Sequence, residues 1–387
     1  MRRITGLVLI LAGSSCWRGV DDCYASFDCD DGLQCIEGRC ERPASAPAGF
    51  SCTPVGQPLK GPPGTAAGQF GFAVSISATQ LLIGDPDATP AGMNKTGAAY
   101  VVERAALASS SPNLKQILPP SGTLGDASFG GAVALQGNTA WVGALQFGGG
   151  GVGNVFKFDI AAGQLTFQPR TGSSAELFGS ALAADDTTVL VGAKASGKVY
   201  VPPDTAGLDL SSRVIAVAVS GEWGAVGLNG NVTLLRRGAS WSIFGNLMPP
   251  PGCPYPSSDA VSPVALASTE LLVPCQSSFG PQVWRYSLAG NSWSAQASLP
   301  LGSGTGSLGA LALGDNLAVV SATGGGPVWA LKLEGQKFSA PVPLVVPGAG
   351  TRYGATVATA AQWVAVGAPS DGTDQTGRVY VFDCSGN

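Results

Sequence analysis

The side chains that could do chemistry in this chain are carboxylates and cysteines. Glu176, Asp185, Asp186, Glu222, Asp259, Glu270 and Asp315 fall in or near the connections between apolar runs. Two of them facing each other across a cleft could cleave a glycosidic bond as acid and base. Each also suits a turn or a solvated surface, where a carboxylate needs no function. Histidine is absent from all 387 residues. That excludes a Ser-His-Asp or Cys-His machine and any His-ligated zinc or iron site. Lys95-Thr96-Gly97 lacks an S-x-x-K partner, and the glycine run from Gly148 to Gly151 lacks the Lys-Ser/Thr of a phosphate loop. The net charge is -4, with no basic run beyond Arg236-Arg237, so no nucleic-acid partner is expected.

The nine cysteines are an odd number. Arg2-Arg3 and the apolar run Ile4 to Ala12 form an export signal too short to stay in a bilayer as a spanning helix. Gly13-Ser14-Ser15-Cys16 follows and resembles a bacterial lipobox, although Gly13 stands where Leu is preferred. Lipidation at Cys16 leaves eight cysteines that can all pair, and export permits disulfides. The alternative is ordinary signal cleavage after Ser14. Residues 1–15 are thus a signal peptide and 16–40 a cysteine-rich anchor segment. Two bridges among Cys23, Cys29, Cys35 and Cys40 would replace the core that so short a segment cannot build. Of the three pairings, Cys23–Cys35 with Cys29–Cys40 is favoured over the other two and over a four-cysteine zinc site. Residues 41–49 are a Pro/Ala linker. The expected product is an outer-membrane or cell-surface lipoprotein, or alternatively a periplasmic or secreted one.

The elements that must position these groups are legible from repetition. FGFAVSISATQLLIG starts at Phe70, FGGAVALQGNTAWVG at Phe129, FGSALAADDTTVLVG at Phe178 and YGATVATAAQWVAVG at Tyr353. Worn copies start at Arg213, Val261 and Leu308. Each unit holds an alternating strand, a tight turn such as Gly137-Asn138, and a continuous β-branched strand. A third strand of the GxVYVF kind and a fourth opening on an aromatic-Ser pair complete it. Such a unit cannot bury its own apolar face, so seven of them imply a radial array. The fold class is all-β: a seven-bladed β-propeller over 50–387, preceded by the small disulfide-rich segment. The last unit stops after its third strand, while FSCTP at Phe50 carries the opening of a fourth. The N-terminal strand should therefore close the C-terminal blade, with Cys52 bonded to Cys384 and Cys253 to Cys275. Linking Cys52 to Cys384 would remove roughly 5 kcal/mol of unfolded-chain entropy.

The FG…VGA…GxVYVF pattern resembles the FG-GAP repeat, the blade unit of integrin α-subunit propellers and of many exported bacterial proteins. The resemblance covers about Phe50 to Asp383. It implies that Phe70, Gly71, Phe129, Gly130, Phe178, Gly179, Tyr353 and Gly354 are packing elements without chemistry. Blades of that type often hold calcium in a D-x-D-x-D-G loop between their first two strands. Here those connections are short hairpins, so calcium does not carry over. Asp85, Asp87, Asp371 and Asp374 are the remaining weak metal candidates, and no cofactor is expected. The expectation is a monomeric, non-catalytic binding or adhesion propeller for a glycan or surface protein, touching the membrane only through its lipid. The alternative is a carboxylate-dependent polysaccharide hydrolase or lyase.

Overall fold

The computed structural model describes residues 34–36, 39–41, 50–62, 68–120, 126–147, 150–167, 175–204, 206–256, 263–277, 280–299, 301, 308–350 and 352–386. It is a seven-bladed β-propeller. Each blade is an antiparallel sheet whose strands run outward in sequence order. The innermost strands are Ala73–Ile76, Phe129–Gln136, Phe178–Ala184, Val214–Ser220, Ala265–Ala267, Leu308–Leu313 and Thr356–Ala360. They touch in succession round the ring, and the seventh meets the first. Cys16, Cys23, Cys29 and the 41–49 linker beyond Glu41 lie outside the described residues, as does Asp259. Two short strands of the cysteine-rich segment, Gln34–Ile36 and Arg39–Glu41, form an antiparallel pair with Cys35 opposite Cys40.

Each second strand is buried on both faces. Gln80–Asp85, Val189–Ala193 and Leu317–Ala322 are buried throughout, as their continuous apolar sequence requires. The first strands border the hub, and several of them, such as Phe178–Ala184 and Thr356–Ala360, are only partly buried along most of their length.

The Phe-Gly element is an inter-blade stitch. Phe70 N donates to Thr376 O, Phe129 N to Thr96 O and Phe178 N to Val152 O, each across to the preceding blade. The Phe rings are fully buried and meet the aromatic ring of the third strand, Phe70 on Tyr100 at 5.4 Å and Phe178 on Tyr200 at 5.1 Å. Tyr353 repeats the contact with Tyr380 at 5.4 Å. Geometry of this kind suits aromatic quadrupoles and buries large area. The glycine before the third strand allows the close approach. Gly97 has φ +83°, and a Cβ there would stand 2.2 Å from Phe129 O. Only glycine fits.

The ring closes as the truncated last unit requires. Thr53–Pro54 pairs with Asp383 and Phe382, and Leu59–Lys60 pairs with Val379 and Arg378, so the N-terminal segment is the outer strand of blade 7. Cys52–Cys384 fastens this strand across 332 residues, and Cys253–Cys275 links the approach to blade 5 with its second strand. These disulfides fit an oxidising compartment. No helix among the described residues is long and apolar enough to cross a membrane.

Candidate functional site

The hub is the usual place to look on a propeller, and here it is chemically plain. Not one of the seven innermost strands contains an Asp, Glu, Lys or Arg; they are built from Ala, Val, Leu, Gly, Ser and Thr with an occasional Phe, Ile or Gln. The acids considered for glycoside cleavage lie elsewhere and apart. Asp186, Glu222 and Asp315 are exposed turn residues. Asp185 shapes its own turn, accepting from Thr187 N and Thr188 N, and its other oxygen takes Gly221 N of blade 4 at 2.8 Å. Glu270 is clamped by Arg285, with Nε–Oε2 at 2.6 Å and Nη2–Oε1 at 2.9 Å. Glu176 is buried beneath Tyr200, whose hydroxyl approaches it at 3.5 Å. Trp141, Trp223 and Trp284 are buried within the blades, and a cation stacks on Trp363 from Arg104, so their faces are largely taken up by packing.

The four weak metal candidates fall into two separate pairs. Asp371 accepts from Tyr380 Oη and Gly372 N, and Asp374 receives Arg378 Nη2 at 2.9 Å. Asp87 accepts from the Gln69 side-chain amide, and Asp85 Oδ1 accepts from Gln69 N at 2.7 Å. Among the described residues no three acidic or sulfur ligands converge.

Asp85 is the outlier. It stands where other units place alanine at the end of the second strand: Ala144, Ala193 and Ala368, each fully buried. Asp85 is equally buried, and its Oδ2 has no hydrogen-bond partner among the described residues. Desolvation, opposed by the bond from Gln69, pushes its carboxyl up to about 6. Burial and this neighbouring carboxylate push the Tyr100 hydroxyl up to about 12.

A cleft of about 980 Å³ opens on the outer side of the ring-closing seam. One wall is the N-terminal strand from Gln57 to Pro62, and the facing wall is the stretch Ser110 to Leu114 of blade 1. Its floor is Asp371, Arg378 and Tyr380. These floor groups are buried and fixed: Arg378 Nη1 donates to Thr376 Oγ1 at 2.9 Å and to Gly377 O at 2.7 Å, while Nη2 pairs with Asp374. Burial and the Asp371 hydrogen bond hold the Tyr380 hydroxyl well above its ordinary range. The walls add the exposed Lys60 together with serine, asparagine and glutamine side chains. The arrangement is a polar recess on a rigid base, suited to hydrogen-bonding a hydroxylated ligand.

Sequence reasoning found the seam but not this cleft. The walls are irregular segments without a motif, joined only by closure of the ring. Asp85, by contrast, had a signal: an acid in a repeat position that elsewhere reads alanine. The chain matches no protein-family model and no curated protein.

Proposed function

We propose that this protein is a non-catalytic binding or adhesion propeller of the FG-GAP type, exported and held at the cell surface by a lipid on Cys16, with the seam cleft as its glycan site. The observation that carries the reading is the contrast between hub and seam. The hub strands offer no charged group for acid-base chemistry, whereas the cleft concentrates hydroxyl, amide and charged groups on a fixed base. The Phe-Gly stitches and buried aromatic pairs support the FG-GAP assignment. A rigid recess lowers the ordering cost of binding a flexible glycan.

The test is a thermal-shift panel of neutral, acidic and amino-sugar oligosaccharides on the full chain, repeated with Lys60→Ala and Asn113→Ala. Binding to the native state raises its melting temperature by mass action. The expected result is a saturable shift with one glycan class, lost in both variants while their ligand-free melting is unchanged. Shifts that survive both substitutions would move the site elsewhere. Release of shorter sugars during incubation would turn the reading to the hydrolase or lyase.

A further inference from the structure

The rim of blades 4 and 5 carries a chain of aromatic contacts whose outer end the propeller leaves open. Phe244, on the outer strand Trp241–Asn246 of blade 4, meets Trp223 edge-on at 4.9 Å. Trp223 meets Trp293, on the outer strand Ser292–Ser298 of blade 5, at 5.6 Å. Phe244 is 46 % exposed and Met248, just past that strand, 78 %. The Nε1 of Trp293 is shut off from solvent yet has no hydrogen-bond partner among the described residues. An exposed Phe244 and Met248 near an unpaired, solvent-shielded indole donor mark a surface that something covers.

We infer that the occupant is this chain's own cysteine-rich segment, which docks as a clasp on the rim of blades 4 and 5. The strand Gln34–Ile36 lies against Ser292–Ser298 without joining its sheet. That contact puts the described end of the segment on the blade that carries Trp293, next to the blade that carries Phe244. The chain length agrees. Phe50 is packed among Leu317, Val328 and Tyr353, between blades 6 and 7. The eight intervening residues from Arg42 to Gly49 span up to about 30 Å when extended, enough to cross the rim of one blade. The segment has little core of its own, so apolar surface borrowed from the propeller offsets part of the cost of ordering it.

The docking has a consequence for the cleft. In a closed ring of seven, blade 4 lies across from the seam between blades 7 and 1. The clasp therefore leaves the cleft open. With the lipid on Cys16, as proposed above, the cleft would face away from the membrane; the docking itself stands whether or not Cys16 is acylated.

A photo-cross-linking experiment on the full chain tests it. Ala295→p-benzoylphenylalanine puts the probe on the exposed, Trp293-bearing face of the blade 5 strand, and Gln116→p-benzoylphenylalanine serves as a control on the outer strand of blade 1. The expected result is an adduct from position 295 to residues 23–41 of the same chain, with a yield independent of protein concentration and none from position 116. An adduct to a second copy, with a yield rising with concentration, would overturn the clasp in favour of self-association. So would a photolysed probe at 295 that captures only water, or equal capture from position 116.

Discussion

Two arcs of the ring are built differently. From blade 7 through blades 1 and 2 to blade 3, neighbouring blades meet backbone to backbone. A Cβ on Gly84 would stand 2.0 Å from Gly130 O, one on Gly143 2.3 Å from Gly179 O, and one on Gly367 2.1 Å from Gly71 O. From blade 3 onward this device is lost. Gly192 faces the Val214 side chain at 2.8 Å, and Ser321 replaces the corresponding glycine of blade 6. In the worn arc, side chains and covalent links take over. Cys253–Cys275 braces blade 5, and Arg285, clamped on Glu270, donates through Nη1 to Gln336 O of blade 6. One topology thus tolerates two kinds of seam. Where glycine allows close approach, repeated backbone hydrogen bonds hold the blades together. Where it does not, particular residues must, and the repeat pattern fades.

The largest effect should come from opening the ring. Cys52→Ser with Cys384→Ser frees a crosslink across 332 residues, worth roughly 5 kcal/mol by loop-closure entropy, whereas the bridge across 22 residues, Cys253–Cys275, is worth roughly 3 kcal/mol. Denaturant melts of the two double variants should rank in that order. The reverse ranking would mean that the paired strands, not the bond, hold the closure. Next comes the worn arc's ion pair. Glu270→Gln strips the charge partner from a guanidinium that is 4 % exposed, and breaking a buried pair in this way costs about 3–5 kcal/mol. Unchanged stability would show that blades 5 and 6 do not depend on Arg285.

The comparison is drawn most directly by one substitution made in both arcs. Gly84→Ala drives a Cβ onto the Gly130 carbonyl, a backbone atom that cannot turn aside, and should cost about 3 kcal/mol or more. Gly192→Ala meets a valine methyl at 2.8 Å and the Ala181 Cβ at 3.2 Å, so its cost should be nearer 1 kcal/mol. Equal melting temperatures for the two variants would dissolve the distinction between the arcs.

How far the sequence revealed the molecule follows the same division. Phe-Gly, the hairpin turns and the β-branched second strands are local and repeated, so the blade count, the strand order and the borrowed outer strand at Thr53–Pro54 could all be read in advance. The Cys52–Cys384 pairing followed from that closure. What stayed hidden depends on residues far apart and without periodicity. The cleft joins Lys60, Asn113 and Asp371 only because the ring closes. Glu270, weighed as a catalytic acid, finds Arg285 on the neighbouring strand, and no motif marks that contact. The contact of Gln34–Ile36 with blade 5 likewise has no sequence signature.

The Asp85 effect is smaller than those of opening the ring or breaking the ion pair, and its sign is the informative part. Its folded-state carboxyl, at about 6, lies above the ordinary 3.8. Well below pH 3.8 the group is neutral in both folded and unfolded chains and imposes no charge-burial penalty. As pH rises from 4 to 6 the unfolded chain ionises first, so stability falls, by about 3 kcal/mol for a shift of this size. Above 6 the buried carboxylate carries the full penalty. Asp85→Ala restores the residue that Ala144, Ala193 and Ala368 place at this position, so the blade should accept it. It also gives up the hydrogen bond from Gln69 N, worth about 1 kcal/mol. The variant should therefore exceed wild type by about 2 kcal/mol at pH 7 and fall slightly below it at pH 4. Groups that titrate identically in both proteins cancel in this difference. A gap that stays constant across pH 4–7 would show that Asp85 is not buried as a charge, and blade 1 would then differ from its sister blades in sequence alone.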